Sequence, residues 1–295
     1  MRRRRDLGAG ADVLRWVLIA VLAALLGLFL ARQTPMLGAA YPLRGHDHAD
    51  LMTSRTPAGK ARTLRVLFVG DSLTFANDMP AMLVNIASSD PGNTTQVEVQ
   101  AKTYPGAFLS KVLADTDALA WARANHPDIV VLQEHSSWYD VTASNPPSGV
   151  TNWDYAAKGS IDWAEAVKAL GETPVLFEIW GDGDGSDLFT RQGSPAYGRT
   201  PNQESRYAAQ ATQRLADELG VQEVAVGDAF QRARDRPGAP DLYGPDHHHP
   251  SMAGSYLAAL VFYRQLTGRT AAQAAYRPLG LSAQDAGLLV QASGG

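Results

Sequence analysis

The chain has 295 residues, of which 45% are hydrophobic and 19% charged; this allows one large buried core and excludes bulk disorder. It contains no cysteine, which rules out disulfides, thiolate metal sites and a cysteine nucleophile. Residues 1–40 carry six basic and two acidic side chains, so beyond them 20 basic residues face 28 acidic ones, a balance of −8. A surface of that sign repels phosphate backbones and no basic stripe offsets it, so nucleic acid is not an expected partner.

The amino terminus stands apart. Arg2 to Arg5 form a basic cluster, and Trp16 to Ala31 form an uninterrupted apolar run bounded by Arg15 and Arg32. The pattern reads as a signal anchor: the run is shorter than the about twenty residues of a straight span, but the flanking arginines can snorkel and local thinning covers the difference. A cleaved signal peptide is the alternative, with Gly38-Ala39-Ala40 ahead of Tyr41 as small residues for cleavage. Either way the remainder is expected outside the cytoplasm, membrane-tethered through one helix or secreted. Residues 1–32 are thus read as the targeting segment, 33–62 as a linker of Pro, Gly, His, Asp and Thr without apolar periodicity, and 63–295 as one catalytic domain.

From Leu64 onward short β-rich runs alternate with alanine-rich stretches. Strands are predicted at Leu64 to Val69, Gln96 to Ala101, Ile129 to Gln133, Val175 to Trp180 and Gln222 to Val226. Helices are predicted at Pro80 to Ser88, Ala107 to Ala124 with a break near Asp115, Ser160 to Leu170, Glu204 to Leu219 and Ser251 to Leu266. Such alternation implies an α/β fold with a parallel sheet covered on both faces. Ligands of such sheets bind beyond the carboxyl ends of the strands. The polar loops fall there: Asp71 and Ser72 after the first strand, Tyr104-Pro105-Gly106 after the second, Glu134-His135-Ser136-Ser137 after the third and Gly181-Asp182-Gly183-Asp184-Gly185 after the fourth.

Gly70-Asp71-Ser72-Leu73 and Asp246-His247-His248-His249-Pro250 together supply a serine, a carboxylate and an imidazole. A serine hydroxyl is a poor nucleophile at neutral pH and needs a base within hydrogen-bond reach and donors for the oxyanion it generates. Gly70 permits a tight turn at the strand end that exposes Ser72. Three residues of separation across a turn can bring Asp246 to the Nδ1–H of His249, leaving Nε2 to face the serine. A Gly-Asp-Ser-Leu tetrapeptide alone arises by chance in roughly one chain per hundred of this length, so the second block carries the weight.

These two blocks, with Asn77-Asp78-Met79-Pro80 and Tyr243-Gly244-Pro245 beside them, resemble the first and last sequence blocks of the SGNH, or GDSL-type, hydrolases over about residues 64 to 270. The resemblance implies a three-layer α/β/α flavodoxin-like fold with a five-stranded parallel sheet. It also implies Ser72 as nucleophile, His249 as base, Asp246 as its orienting acid, and an oxyanion hole from the Ser72 N–H, a glycine N–H after the second strand and an asparagine amide after the third. Gly106 is the matching glycine, although a Pro-Gly turn alone would explain it. The asparagine block is missing. The chain reads Leu132-Gln133-Glu134-His135-Ser136-Ser137, and Gln133 is taken as the substitute donor, with Ser136 or Ser137 behind it.

Asp71, Trp138 and Trp180 are taken as substrate contacts. Trp138, Tyr139 and Trp153 flank a loop, Val141 to Asn152, that could form a lid with aromatic faces for sugar rings, or could simply pack an insertion onto the domain. The stretch from Asp182 to Asp187 resembles a calcium loop but has Asp187 where glycine is required and Gly193 where glutamate is required, so it reads as an acidic, flexible rim. No metal and no cofactor is expected. The resulting expectation is a serine ester hydrolase acting on an ester substrate, an acylated carbohydrate being favoured. An O-acyltransferase on an exported polysaccharide and a non-catalytic tethered binding protein are the alternatives.

Overall fold

The computed structural model describes residues 52–53, 62–139 and 152–294. The predicted apolar span at Trp16 to Ala31, most of the linker and residues 141–151 of the predicted lid lie outside the described residues. Among the described residues no helix is long and apolar enough to cross a membrane.

The strand runs predicted from β-branched and apolar residues become β2 (Arg62–Gly70), β3 (Thr95–Thr103), β4 (Ile129–Leu132), β5 (Thr173–Glu178) and β6 (Gln222–Ala225). All are parallel and ordered β3-β2-β4-β5-β6. That order, 2-1-3-4-5 within the parallel set, is the flavodoxin-like arrangement with its topological switch point beside the first strand. Helices cover both faces of the sheet at β2, which is why Val66 to Val69 are all buried rather than alternating. A sixth strand, β1 (Met52–Thr53), pairs antiparallel with the outer edge of β3. Of residues 33–62, read from the sequence as a linker, Met52, Thr53 and Arg62 belong to the sheet.

The helices are α1 (Ser72–Phe75), α2 (Met79–Ser89), α3 (Leu109–Asp115), α4 (Ala118–Asn125), α5 (Asn152–Ala169), α6 (Pro201–Leu219), α7 (Val226–Arg234), α8 (Met252–Thr267) and α9 (Ala283–Ala292). α2 and α8 pack together over one face of the sheet, and α3, α5 and α6 cover the other. The break between α3 and α4 sits at Thr116, whose hydroxyl bonds back to the Val112 carbonyl at 2.6 Å and accepts the Ala118 N–H at 3.2 Å. Such local bonding offers the backbone an alternative to helix. α5 begins at Asn152, well before the predicted Ser160, because Ala157 and Trp163 supply a buried helical face. α6 starts with Pro201 and a Thr200–Gln203 capping box and stops at Gly220 in the left-handed conformation (φ 62°).

Below the strand ends the core is aromatic. Phe262 of α8 meets Phe68 and Phe177 edge-on, at centroid distances of 5.0 and 4.9 Å. Each such pair contributes about 0.5–1.5 kcal/mol beyond the area it buries. On the opposite face Trp163 is fully buried and donates its Nε1–H to the Leu109 carbonyl at 3.0 Å, which holds α5 against the start of α3.

Candidate active site

The register pairs Gly70 with Thr103 and Val69 with Leu132, so the loops after β2, β3 and β4 leave the sheet side by side. Immediately after Gly70 the chain turns into α1. Asp71 caps that turn, its Oδ1 accepting the Leu73 N–H at 2.9 Å. A Cβ on Gly70 would fall 2.5 Å from Gln133 Oε1 and 2.9 Å from Thr74 Oγ1, so the turn closes only over glycine. Ser72 is thereby placed first in α1, and its N–H donates to no group among the described residues.

The histidine loop reaches the same place from the far end of the chain. An isolated bridge joins Tyr243 to Pro250, with the Gly244 N–H donating to the His249 carbonyl at 2.7 Å. Inside the loop Asp246 Oδ1 accepts the N–H groups of His248 and His249 at 3.2 and 3.0 Å, and His247 takes a left-handed conformation (φ 58°). Asn77, itself left-handed (φ 54°), ties the two regions together: its amide donates to the Pro250 carbonyl and to Ser255 Oγ, both at 2.9 Å. Across this tie His249 Nε2 lies 2.8 Å from Ser72 Oγ, and His249 Nδ1 lies 2.6 Å from Asp246 Oδ2. A carboxylate only accepts, so Nδ1 carries the proton and Nε2 is the acceptor that faces the serine hydroxyl. Burial pushes the Asp246 carboxyl up, but the His249 ring and the two backbone N–H groups outweigh it and hold the group below its usual range.

Gly106 sits at an exposed turn after β3 with φ 63°, a conformation that favours glycine. The Ala107 N–H closes that turn on the Tyr104 carbonyl at 3.1 Å, while the Gly106 N–H donates to nothing among the described residues. Two unengaged backbone donors therefore stand beyond the ends of neighbouring strands β2 and β3.

Four expected contacts are corrected. Gln133 is fully buried, and its Oε1 accepts the Asp71 N–H and the Thr74 hydroxyl, each at 2.8 Å. The Asp71 N–H can only donate, so the oxygen must face it; the amide nitrogen turns away to the Glu134 carbonyl at 2.6 Å. Gln133 braces the serine turn from below and is not an oxyanion donor. Asp71 is 2% exposed, and its carboxylate serves as the cap of α1 instead of meeting a substrate. Burial, opposed by the Leu73 N–H, pushes it up to about 6. Trp138 is buried against Tyr139 and Trp153, at centroid distances of 6.4 and 5.9 Å, and Trp153 is covered by Arg214 at 3.8 Å. These rings pack the end of the β4 loop against the start of α5 and against α6. Trp180 stacks on Phe230 at 4.2 Å, and its Nε1 donates to the His248 carbonyl at 3.1 Å, so it supports the histidine loop from the core.

The loop from Gly181 to Gly185 is likewise no free rim. The Gly183 N–H donates to the His247 carbonyl at 2.7 Å, Tyr243 Oη donates to the Gly181 carbonyl at 2.9 Å, and Asp182 Oδ1 lies 2.6 Å from His248 Nδ1. The sequence reading placed Asp182 just after a strand end but gave it no role, because its partner lies 66 residues away. Glu134 was also passed over: buried and pushed up to about 7 by that burial, it accepts the Leu109 and His135 N–H groups at 2.8 and 3.0 Å, joining the β4 loop to the start of α3. Among the described residues no group of three or more acidic, histidine or cysteine side chains is arranged to hold a metal.

No protein-family model and no curated protein sequence matches the chain. Among solved structures, a protein of Slackia heliotrinireducens assigned to the SGNH hydrolases is 30% identical over 70% of this chain and 99% of its own, with a TM-score of 0.54. A DUF4886 family protein from Bacteroides uniformis shares the fold at TM-score 0.61 and 15% identity, covering 79% of this chain and 93% of its own. Axe2, an acetylxylan esterase from Geobacillus stearothermophilus, does so at TM-score 0.51 and 18% identity, covering 70% and 96%. By its parallel sheet, its Gly-Asp-Ser-Leu turn and its likeness to the Slackia protein, the chain belongs to the SGNH, or GDSL-type, hydrolase superfamily.

Proposed function

We propose that the protein is a serine ester hydrolase that works through an acyl-enzyme, with Ser72 as nucleophile, His249 as base and Asp246 as the acid that orients it. One observation carries this reading: the unbroken chain from Ser72 Oγ to His249 Nε2 at 2.8 Å and from His249 Nδ1 to Asp246 Oδ2 at 2.6 Å. As Ser72 Oγ attacks an ester carbonyl, its proton passes to His249 Nε2 and Asp246 stabilises the resulting imidazolium. The oxyanion is received by the N–H groups of Ser72 and Gly106. When the tetrahedral intermediate collapses, His249 returns the proton to the departing alcohol. A water molecule then gives its proton to His249 and attacks the acyl group, and the second collapse frees the acid and restores the Ser72 hydroxyl.

Acetyl esters of a carbohydrate are the substrate class this reading favours, supported by the exported position that the basic and apolar start of the chain predicts and by the activity that the name of the similarly folded Axe2 declares. Replacing Ser72 by alanine should lower hydrolysis of 4-nitrophenyl acetate by at least about 10³-fold. The melting temperature should stay close to that of the parent, and a fluorophosphonate should label the parent at Ser72 and leave the variant untouched. Retained activity in Ser72→Ala would overturn the assignment.

A further inference from the structure

Beside the Ser72–His249–Asp246 chain stands a second imidazole–carboxylate pair that the proposed chemistry does not use. His248 Nδ1 lies 2.6 Å from Asp182 Oδ1, and Ser186 Oγ donates to the other oxygen of that carboxylate at 2.6 Å. The His248 backbone is held as firmly, its N–H on Asp246 Oδ1 at 3.2 Å and its carbonyl under Trp180 Nε1 at 3.1 Å. With Nδ1 committed to an acceptor, His248 keeps one unengaged polar atom: Nε2 makes no hydrogen bond among the described residues. A ring held this closely around one free nitrogen is preorganised for a group that the protein does not supply.

The neighbourhood narrows what that group is. The His248 ring stands edge-to-face on His249, with centroids 4.9 Å apart, which places it next to the base of the serine site. His248 also lines a cavity of about 100 Å³ with Ser136, Ser137, Tyr139, Asp182, Leu188, Pro195 and Glu204, a mixed polar and apolar wall. The unengaged nitrogen on this wall is left without a partner by an alkyl chain and is satisfied by a hydroxylated molecule. Burial disfavours the charged form of His248, yet Asp182, Asp246 and Asp71 outweigh it and raise its pKa above the usual value, which favours the form that carries a proton on Nε2. The same carboxylates compensate the positive charge and would repel an anion.

Building on the serine-esterase reading, we infer that His248 is a specificity-determining residue whose Nε2 hydrogen-bonds an uncharged hydroxyl on the alcohol half of the ester, as a sugar presents. The full-length protein and its His248→Leu variant are compared on 4-nitrophenyl acetate, whose alcohol half carries no hydroxyl, and on a mono-O-acetylated methyl glycoside. The loss in kcat/KM on the glycoside should exceed the loss on the aryl acetate by about tenfold or more, and should appear mainly in KM. His248→Gln, which keeps a donor, should recover part of it. Should His248→Leu fail to fold, Asp182→Asn reads the same selective loss through the orientation of the ring. Equal losses on both substrates, or a parent enzyme that cleaves the aryl acetate but not the glycoside, overturn the inference. Failure of the parent to take a fluorophosphonate at Ser72 is a different result and removes the serine-esterase reading itself.

Discussion

The Asp246–His249 and Asp182–His248 pairs share the same 2.6 Å contact between Nδ1 and a carboxylate oxygen, yet they are assembled in different ways. The first closes within one turn of chain, where Asp246 also collects two backbone N–H groups, and its free end, Nε2, rests on Ser72. The second joins two segments 66 residues apart, with Ser186 behind the carboxylate and Nε2 open. Their charges settle oppositely. In the first pair the carboxyl is held below its usual range, and in the second the imidazole is held above it. A local pair can be specified by a short motif, whereas a distant pair exists only once the sheet has set its loops side by side.

The largest expected difference lies in turnover. Asp246→Asn removes the acceptor that fixes the His249 tautomer and should lower ester hydrolysis by about 10³–10⁴-fold, whereas Asp182→Asn, which leaves that tautomer alone, should cost about tenfold or less on an aryl acetate. Steady-state rates of both variants would collapse the comparison if the two losses were equal.

The next difference is in how stability depends on pH. The folded-state value of His248 is raised, so its contribution is fully present below the unfolded value near 6.5 and is lost as pH rises through the folded value. The groups acting on it are Asp182, Asp246 and Asp71, and His135 faces it from the β4 loop. The lead in melting temperature of the parent over Asp182→Asn should therefore be widest below pH 6.5 and narrow above it. A lead that grew with pH would contradict the pairing.

Glu178, at the end of the strand that leads to Asp182, shows what a carboxyl looks like without such a partner. It is 1% exposed, neither carboxyl oxygen has a hydrogen-bond partner among the described residues, and burial, then Asp228 and Glu223, push it up to about 9. A raised acid contributes stability below its unfolded value that is lost as pH rises toward the folded one. Glu178→Gln should thus change the unfolding free energy little near pH 5 and raise it progressively toward pH 9, by on the order of 1–3 kcal/mol in the upper range, as read from denaturant unfolding at each pH. Catalysis should not follow, because Glu178 touches no group of the serine site. A variant whose advantage is the same at every pH would show that Glu178 ionises normally.

Much of the site was legible because it is written in contiguous blocks. Asp71 and Ser72 follow a strand whose apolar run is unmistakable, and Asp246 and His249 lie within one turn, so their proximity is a local property of chain geometry. What escaped were side chains whose partners come from elsewhere. Gln133 offers a donor and an acceptor from one end, and the Asp71 N–H and Thr74 hydroxyl, contributed by a different strand's loop, decided which of them faces the turn. Trp138 and Trp180 suit a core and a sugar platform equally well by chemistry. Trp153, on the other side of the insertion, and Phe230, in a separate helix, made them core.

The sequence by itself determined the alternation of strands and helices, the covered parallel sheet and the identity of the serine, carboxylate and imidazole that meet at its carboxyl end. These follow from local periodicity and short spacings, which the unfolded chain already contains. Only the tertiary structure decided that Gln133 is a brace, that Asp71 is a cap, that two tryptophans are buried supports, and that Asp182 reaches across to a second histidine. Each of those roles depends on which hydrogen-bond partners and which apolar surfaces remain within reach after burial, and that is a property of packing among distant segments.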